Sequence, residues 1–354
     1  MKDFYKNKNV LITGHTGFKG AWLSQILVNW GANVSGYSLN PPTDPNLFNL
    51  LDLDSKINSY IGDIRDLDNL SKVFNEIKPE IVIHMAAQPL VRESYENPLY
   101  TYQTNVMGTV NVCECVRKSN SVKSFLNVTT DKVYENTEKS EGYKEDEKLD
   151  GFDPYSNSKS CSELVTHSYI NSFFNNLNIP TSTARAGNVI GGGDFAKDRI
   201  IPDCFRACEK HEDIIIRNPY SIRPYQHVLE PLNMYLKIVK MQFENKDYAG
   251  YYNIGPNDED CVETAKLVSL FCKCFNQTND EKIQWINKSD NGPHEANFLK
   301  LDNTKIKETF GWNPTWNIEK AIEKTVQWIN VYLNDEDIVA CVNNQIDEFF
   351  YKKQ

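Results

Sequence analysis

The chain has 354 residues, 40% of them hydrophobic and 24% charged, with 38 Lys and Arg against 48 Asp and Glu for a net charge of −10. That composition excludes a collagen, a long disordered chain and a disulfide scaffold, and the length suggests about two domains around a sizeable core. A chain this acidic has no bulk attraction for nucleic acid or an anionic membrane, so an anionic small ligand needs a local cluster of donors.

Val10-Leu11-Ile12 reads as a strand. Phe18, Trp22, Leu23, Ile26, Leu27 and Trp30 then recur at helical spacing, with Gly31 where a helix C-terminus is expected. Asn33 to Leu39 reads as a second strand and Tyr60-Ile61-Gly62-Asp63 as the end of a third. Leu67, Leu70, Val73, Phe74 and Ile77 space as a helix, and Ile81 to Met85 reads as a buried strand. Residues 98–118 are predicted helical on Tyr102, Val106, Val110, Cys113 and Val116, and Phe125 to Thr129 is a strand. A long helix is predicted over 153–176 and a strand over Thr181 to Ala186. Gly191-Gly192-Gly193 breaks the pattern. Ile214-Ile215-Ile216 and Tyr251 to Ile254 are short strands, and helices follow near 261–275, 302–310 and 317–333. The tail 335–354 reads as an amphipathic helix on Ile338, Val342, Ile346, Phe349 and Phe350. Strands alternating with helices of this length mean βαβ units. The expected fold is α/β, a Rossmann-type doubly wound parallel sheet with a smaller mixed α/β domain. No linker or repeat separates the two, so they are expected to exchange segments.

Nine cysteines contain no C-x-x-C motif. Cys113 and Cys115, like Cys272 and Cys274, sit two apart, and on a helix such side chains face different ways. No cluster has zinc spacing, so no metal is expected and the thiols are expected to be free in a reducing compartment. The chain runs from Met1 into the Val10 strand without an apolar signal core, and no run of about 18 apolar residues follows. A cytoplasmic protein is expected.

The first chemical signal is Thr13-Gly14-His15-Thr16-Gly17-Phe18-Lys19-Gly20, placed directly after a strand and opening a helix. A helix N-terminus offers free N–H groups and the positive end of a dipole, and glycine lets a pyrophosphate approach the backbone. In that context Gly14, Gly17 and Gly20 point to dinucleotide binding. The acidic residue expected about 20 positions later is missing. The second strand ends Tyr37-Ser38-Leu39-Asn40, the first carboxylate is Asp44, and no Lys or Arg lies between 37 and 46 to hold a 2′-phosphate. Asp63 is placed to contact the adenine.

The second signal is Tyr155-Ser156-Asn157-Ser158-Lys159 at a helix start. Residues four apart share a helix face, and a cation there is expected to lower the phenol pKa so that the phenolate can take a hydroxyl proton as hydride leaves. Thr129-Thr130-Asp131-Lys132 ends a strand, where doubly wound sheets place their sites.

Together these stretches resemble the extended short-chain dehydrogenase/reductase family from Val10 to about Trp316. The resemblance implies NAD as cofactor and a nucleotide-sugar substrate. It matches Thr130, Tyr155 and Lys159 to the catalytic Ser/Thr–Tyr–Lys set. It places Gly14, Thr16, Gly17, Phe18, Gly20, Ser38, Asp63, Ile64, Ala86, Ala87, Gln88 and Asn105 around the cofactor with Tyr155 and Lys159. Further stretches are similar to the CDP-glucose branch of its 4,6-dehydratases. They are Ala87 to Arg92, Thr130 to Tyr134, Asp153 to Lys159, Ala184 to Asp194, Arg223 to Glu230 and Pro293 to Ala296. The resemblance thus implies CDP-glucose as substrate, with Asn188, Arg199, Arg223, His227 and His294 facing it. It divides the chain into a dinucleotide-binding domain (1–187 plus about 223–254), a nucleotide-sugar-binding domain (188–222 plus about 255–330) and a tail (331–354). A homodimer or homotetramer is implied, paired through the helices near 98–118 and 153–176 with Tyr102, Tyr169 and Phe173 at the seam.

The dTDP-glucose enzymes carry Asp-Glu after the catalytic Thr, with the Glu as base at C5, whereas this chain has Asp131-Lys132. Lysine there fits the CDP-glucose branch and leaves the base open. Lys132 is either a desolvated neutral base, or a cation that stabilises the enolate while another group takes the proton. Asp131, protonated, is expected to assist loss of the C6 hydroxyl. The rivals are another nucleotide-sugar dehydratase, a 4-epimerase, and a cofactor-binding regulator without catalysis.

Overall fold

The structure, a computed structural model, describes residues 1–280, 282–288 and 298–351. In chain order its strands are β1 (Asn9–Thr13), β2 (Asn33–Ser38), β3 (Asn58–Ile61), β4 (Ile81–His84), β5 (Ser124–Val128), β6 (Thr181–Ala186), β7 (Val189–Ile190), β8 (Ile214–Ile216), β9 (Ile222–Pro224), β10 (Gln226–His227), β11 (Tyr251–Ile254), β12 (Cys261–Glu263) and β13 (Trp285–Asn287). Seven of them form one parallel sheet in the order β11-β6-β5-β4-β1-β2-β3.

The strands β1, β4 and β5 are largely apolar on both faces because helices cover both. Val10, Ile12, Ile81, Ile83, Leu126 and Val128 pack with the helices Phe18–Asn29 and Leu229–Glu244. Leu11, Val82 and Phe125 point the other way, into Leu70, Phe74, Val112, Val116 and Phe174. The strand order reverses between β1 and β4, and ligands of such sheets bind in the crevice outside the strand ends at that point. Gly14 and Ala86 lie there.

The smaller half is built from strand pairs, β10 on β7, β12 antiparallel on β9 and β13 on β8. The helices Ile200–Lys210, Thr264–Thr278 and Ile318–Leu333 pack with them. The tail helix Ile338–Tyr351 returns to the larger half. Phe350 packs edge-on to Trp30 at 5.0 Å, and Gln25 Nε2 donates to Asn343 Oδ1 at 3.1 Å.

Four helices differ from expectation. The helix expected from 261 begins at Thr264, because Cys261–Glu263 pairs with β9 as a strand. The helices near 98–118 and 153–176 each contain a π-type turn, Gln103–Met107 and Ile170–Phe174. The helix Leu229–Glu244 was not expected: Leu229, Leu232, Met234, Tyr235, Leu236, Ile238 and Val239 are all buried, and only a narrow stripe of Asn233, Lys237, Lys240 and Glu244 reaches toward the surface. Among the described residues, no helix is long and apolar enough to cross a membrane.

Candidate active site

Thr13 fixes the crevice floor. Its hydroxyl accepts from the N–H groups of Met85 and Ala86 at 3.1 and 3.2 Å and lies 2.6 Å from His84 Nδ1. Gly14 follows at φ +81°, and a Cβ there would stand 2.8 Å from Ala86 N. At Gly20 a Cβ would stand 2.1 Å from Gly14 O, so only glycine lets the helix close onto the loop. Gly17 is the N-cap of Phe18–Asn29 and supplies no side-chain cap. Its first N–H groups, with the helix dipole behind them, fit a pyrophosphate.

Thr16 donates to Leu39 O at 2.9 Å and sits 2.9 Å from Ser38 Oγ, a neutral pair at the end of β2 where an acid was expected. Phe18 packs toward Gly191, where a Cβ would come 3.3 Å from its ring. Asp63 is gripped by Arg65 at 2.6 Å, which holds its carboxyl below the usual range. Ile64 fills the space over Gly108. Ala86 and Ala87 follow β4 directly, with Ala86 against Gly14. Gln88 N donates to Asn105 Oδ1 at 2.8 Å, and Asn105 Nδ2 donates to Gln88 O and Ser158 Oγ at 3.0 and 2.9 Å. The Asn105 amide thus joins the β4 loop to the helix that carries Tyr155 and Lys159.

That helix, Pro154–Tyr169, is capped by Asp153, which accepts from Ser156 N at 3.0 Å. It brings Tyr155 beside Thr130 at the end of β5, where the threonine hydroxyl pulls the phenol pKa down against burial. Thr130 also donates to Asp131 Oδ1 at 2.9 Å. Asp131 Oδ2 is buried and has no hydrogen-bond partner among the described residues. Burial raises the Asp131 pKa, against the pull of Lys132 and Arg223. A buried carboxyl with one uncommitted oxygen suits a proton donor. Lys132 is half-buried beside it.

The expected lowering of the Tyr155 phenol is not what the geometry gives. Burial pushes it up to about 12. Burial, then Lys19, brings Lys159 down to about 7, and its ammonium donates to Val128 O at 3.3 Å. Desolvation outweighs charge assistance at this pair.

Arg223 is buried on β9, with Nη1 donating to Ile222 O at 3.0 Å, and its charge acts on Asp131. Arg199 pairs with Asp194 at 3.0 Å and is electrostatically coupled to Tyr155. Asn188 links β6 to β7 and accepts from Gln226 N through its carbonyl at 3.0 Å. His227 is buried between Trp22 and Trp316, with ring centroids at 6.0 and 4.8 Å, and burial holds it neutral, its pKa about 3. It reads as a packing residue. His294 lies outside the described residues.

Two charged residues were missed. Lys19 enters from the glycine loop, its ammonium 5.9 Å from the Tyr235 ring centroid, and burial lowers it to about 8 near Arg199, Asp131 and Asp194. A lysine in the first turn of a helix opposes the dipole, and that was its signal. Glu163, fully buried, follows Lys159 by one turn. Its signal was the four-residue step from Tyr155 through Lys159.

The sequence profile of the family described as GDP-mannose 4,6 dehydratase matches residues 11–325. The chain is 46% identical over 354 residues to the CDP-glucose 4,6-dehydratase of Salmonella typhimurium, covering 98% of each. It is 25% identical to a dTDP-glucose 4,6-dehydratase of Xanthomonas campestris over 94% of this chain and 95% of the other. Among solved structures, the dTDP-glucose 4,6-dehydratase from Bacillus anthracis in complex with NAD superposes with a TM-score of 0.75 at 21% identity, covering 94% of this chain and 99% of that one. The UDP-glucose 4-epimerase from Thermotoga maritima with UDP-glucose gives 0.77 at 22%, covering 92% and 99%. At such identities the structural likeness speaks for the fold.

Proposed function

The chain belongs to the GDP-mannose 4,6-dehydratase family, and on that premise we propose that it is a lyase converting CDP-glucose to CDP-4-keto-6-deoxyglucose and water, with NAD as its resident cofactor. The observation that carries the reading is the cluster of Tyr155 beside Thr130, whose hydroxyl donates to Asp131, a buried carboxyl with one uncommitted oxygen. Dehydration needs an acid beside the oxidising tyrosine, and 4-epimerisation does not. The CDP-glucose relative at 46% identity supports the sugar nucleotide.

The glycine loop and uncapped helix start would hold the cofactor, with Thr16, Ser38, Asp63 and Ile64 toward its adenosine end and Ala86 and Ala87 against its length. The absence of Lys and Arg between 37 and 46 favours NAD over NADP. When bound, the nicotinamide accepts a hydride from C4 and returns it to C6. Tyr155, aided by Thr130 and Lys159, takes the C4 hydroxyl proton. The resulting ketone acidifies C5, whose proton goes to Lys132 or a neighbour. Asp131 protonates the departing C6 hydroxyl, and a proton from the Tyr155 region returns to C5 as hydride reaches C6. Arg199, Arg223 and Asn188 bind the diphosphate and sugar, as guanidinium matches phosphate oxygens bidentately. The two-domain division described above, a cytoplasmic setting and a homo-oligomer complete the proposal.

Mass spectrometry of the sugar product tests it. Purified protein is incubated with NAD and, separately, CDP-glucose, dTDP-glucose and UDP-glucose. Loss of one water from CDP-glucose alone, with no net NADH, is expected. Loss from dTDP-glucose instead would overturn the cytidine assignment, an isomer of unchanged mass would mean an epimerase, and no reaction would revive the regulator.

A further inference from the structure

We infer that Glu163 is a positioning residue of the Tyr155–Lys159 pair: its carboxylate, one helical turn beyond Lys159, holds that lysine in the ammonium form. The inference rests on Tyr155 and Lys159 acting as the acid–base pair. Tyr155, Lys159, Glu163 and His167 lie four apart along one helix and share a face. Glu163 is wholly buried, yet its two oxygens are surrounded by donors. Oε1 accepts from Thr129, the residue before the catalytic threonine. Oε2 takes Thr183 Oγ1 at 2.7 Å, Arg185 Nη2 at 2.9 Å and His167 Nε2 at 3.2 Å.

Burial pushes Glu163 upward, but Arg185, His167 and Thr129 outweigh it and keep the carboxyl ionised. Tyr134 and Tyr251 are the remaining titratable groups within its reach, from the Asp131 segment and β11. Lys159 is faced by Lys19 from the glycine loop, by His84 from β4, which burial keeps neutral, and by Glu163. Desolvation and Lys19 both favour the free amine, and Glu163 is the group that opposes them. Arg185 does not depend wholly on Glu163, since its Nη1 donates to Tyr134 Oη at 2.7 Å and to Glu145 O at 3.0 Å.

The test reads Lys159 directly. Protein carrying lysine labelled with carbon-13 at Cε is titrated by NMR, with the Lys159 signal identified by its loss in Lys159→Arg. In Glu163→Gln the midpoint is expected to fall by about one pH unit or more, with the alkaline limb of kcat moving the same way, and Glu163→Asp should restore most of both. If Glu163→Gln does not fold, Glu163→Gln with Arg185→Gln removes a buried pair of opposite charges, and a smaller fall of the midpoint in the same direction is expected. An unchanged midpoint, or a kcat lowered equally at every pH, would overturn the inference. If wild-type protein made no product while the midpoint still moved, the functional reading would fail and the role of Glu163 would stand.

Discussion

Tyr155 and Asp131, on either side of Thr130, carry opposite demands. Both are buried and both pKa values are raised, the phenol to about 12 and the carboxyl above its ordinary range. For the phenol this is a cost, which Thr130 and the charge on Lys159 must offset. For the carboxyl it is the working condition. A carboxyl whose pKa is raised keeps its proton to higher pH, so loss of the C6 hydroxyl should weaken as pH rises through that value. Tyr155→Phe should fold normally and lose roughly 10²–10⁴ in kcat, checked by steady-state rates beside a thermal melt. Asp131→Asn should fail later in the cycle. An amide cannot supply the proton, yet C4 oxidation needs none from it, so the variant should show reduced-nicotinamide absorbance on mixing with CDP-glucose and little dehydrated product. Wild-type product from Asp131→Asn would remove the acid role.

The glycine-loop helix shows what an element needs that its residues alone do not announce. Trp22, Leu23, Ile26 and Leu27 made Phe18–Asn29 legible, but the roles of its glycines became separable only in three dimensions. Gly20 is forced by contact, since its absent Cβ would meet Gly14 O at 2.1 Å, backbone that cannot move without opening the loop. Gly311, at φ +57° with nothing within 4 Å of its absent Cβ, is needed only for conformation. Gly311→Ala should therefore cost about 1–2 kcal/mol of stability and leave NAD affinity alone. Gly20→Ala should weaken NAD binding by about tenfold or more, measured by calorimetry, because it deforms the site itself. The same limit explains the elements that sequence patterns missed. Leu229–Glu244 buries most of its circumference, and the narrow stripe of Asn233, Lys237, Lys240 and Glu244 left outside is easy to overlook in the sequence. Cys261–Glu263 is a strand because β9 lies beside it, a neighbour nearly 40 residues away in the chain.

At the scale of the whole molecule, the parallel sheet and the placing of the site at its strand ends followed from strands alternating with helices, because doubly wound sheets gather their ligands there. Burial did not follow. His227, placed toward the substrate by the resemblance, is packed between tryptophans, while Lys19, not singled out in the sequence, is buried near Arg199, Asp131 and Asp194. The seam proposed between subunits shows the same mixture. Tyr102 and Tyr169, expected there, instead hydrogen-bond across helices within the chain, to Asn157 at 3.0 Å and Glu114 at 2.9 Å. The faces they leave outward carry Leu99, Met107, Leu164 and Phe173, each at least 40% exposed. Apolar side chains gathered on adjacent helices call for a cover, and a second copy presenting the same face is self-complementary. Met107→Glu with Leu164→Glu places carboxylates in that seam. Light scattering on a sizing column should then report a monomer where the wild type is a dimer or larger. Since Leu164 shares its helix with Tyr155 and Lys159, the monomer should also turn over more slowly. A wild-type chain that already runs as a monomer would remove the seam and leave the chemistry within each subunit untouched.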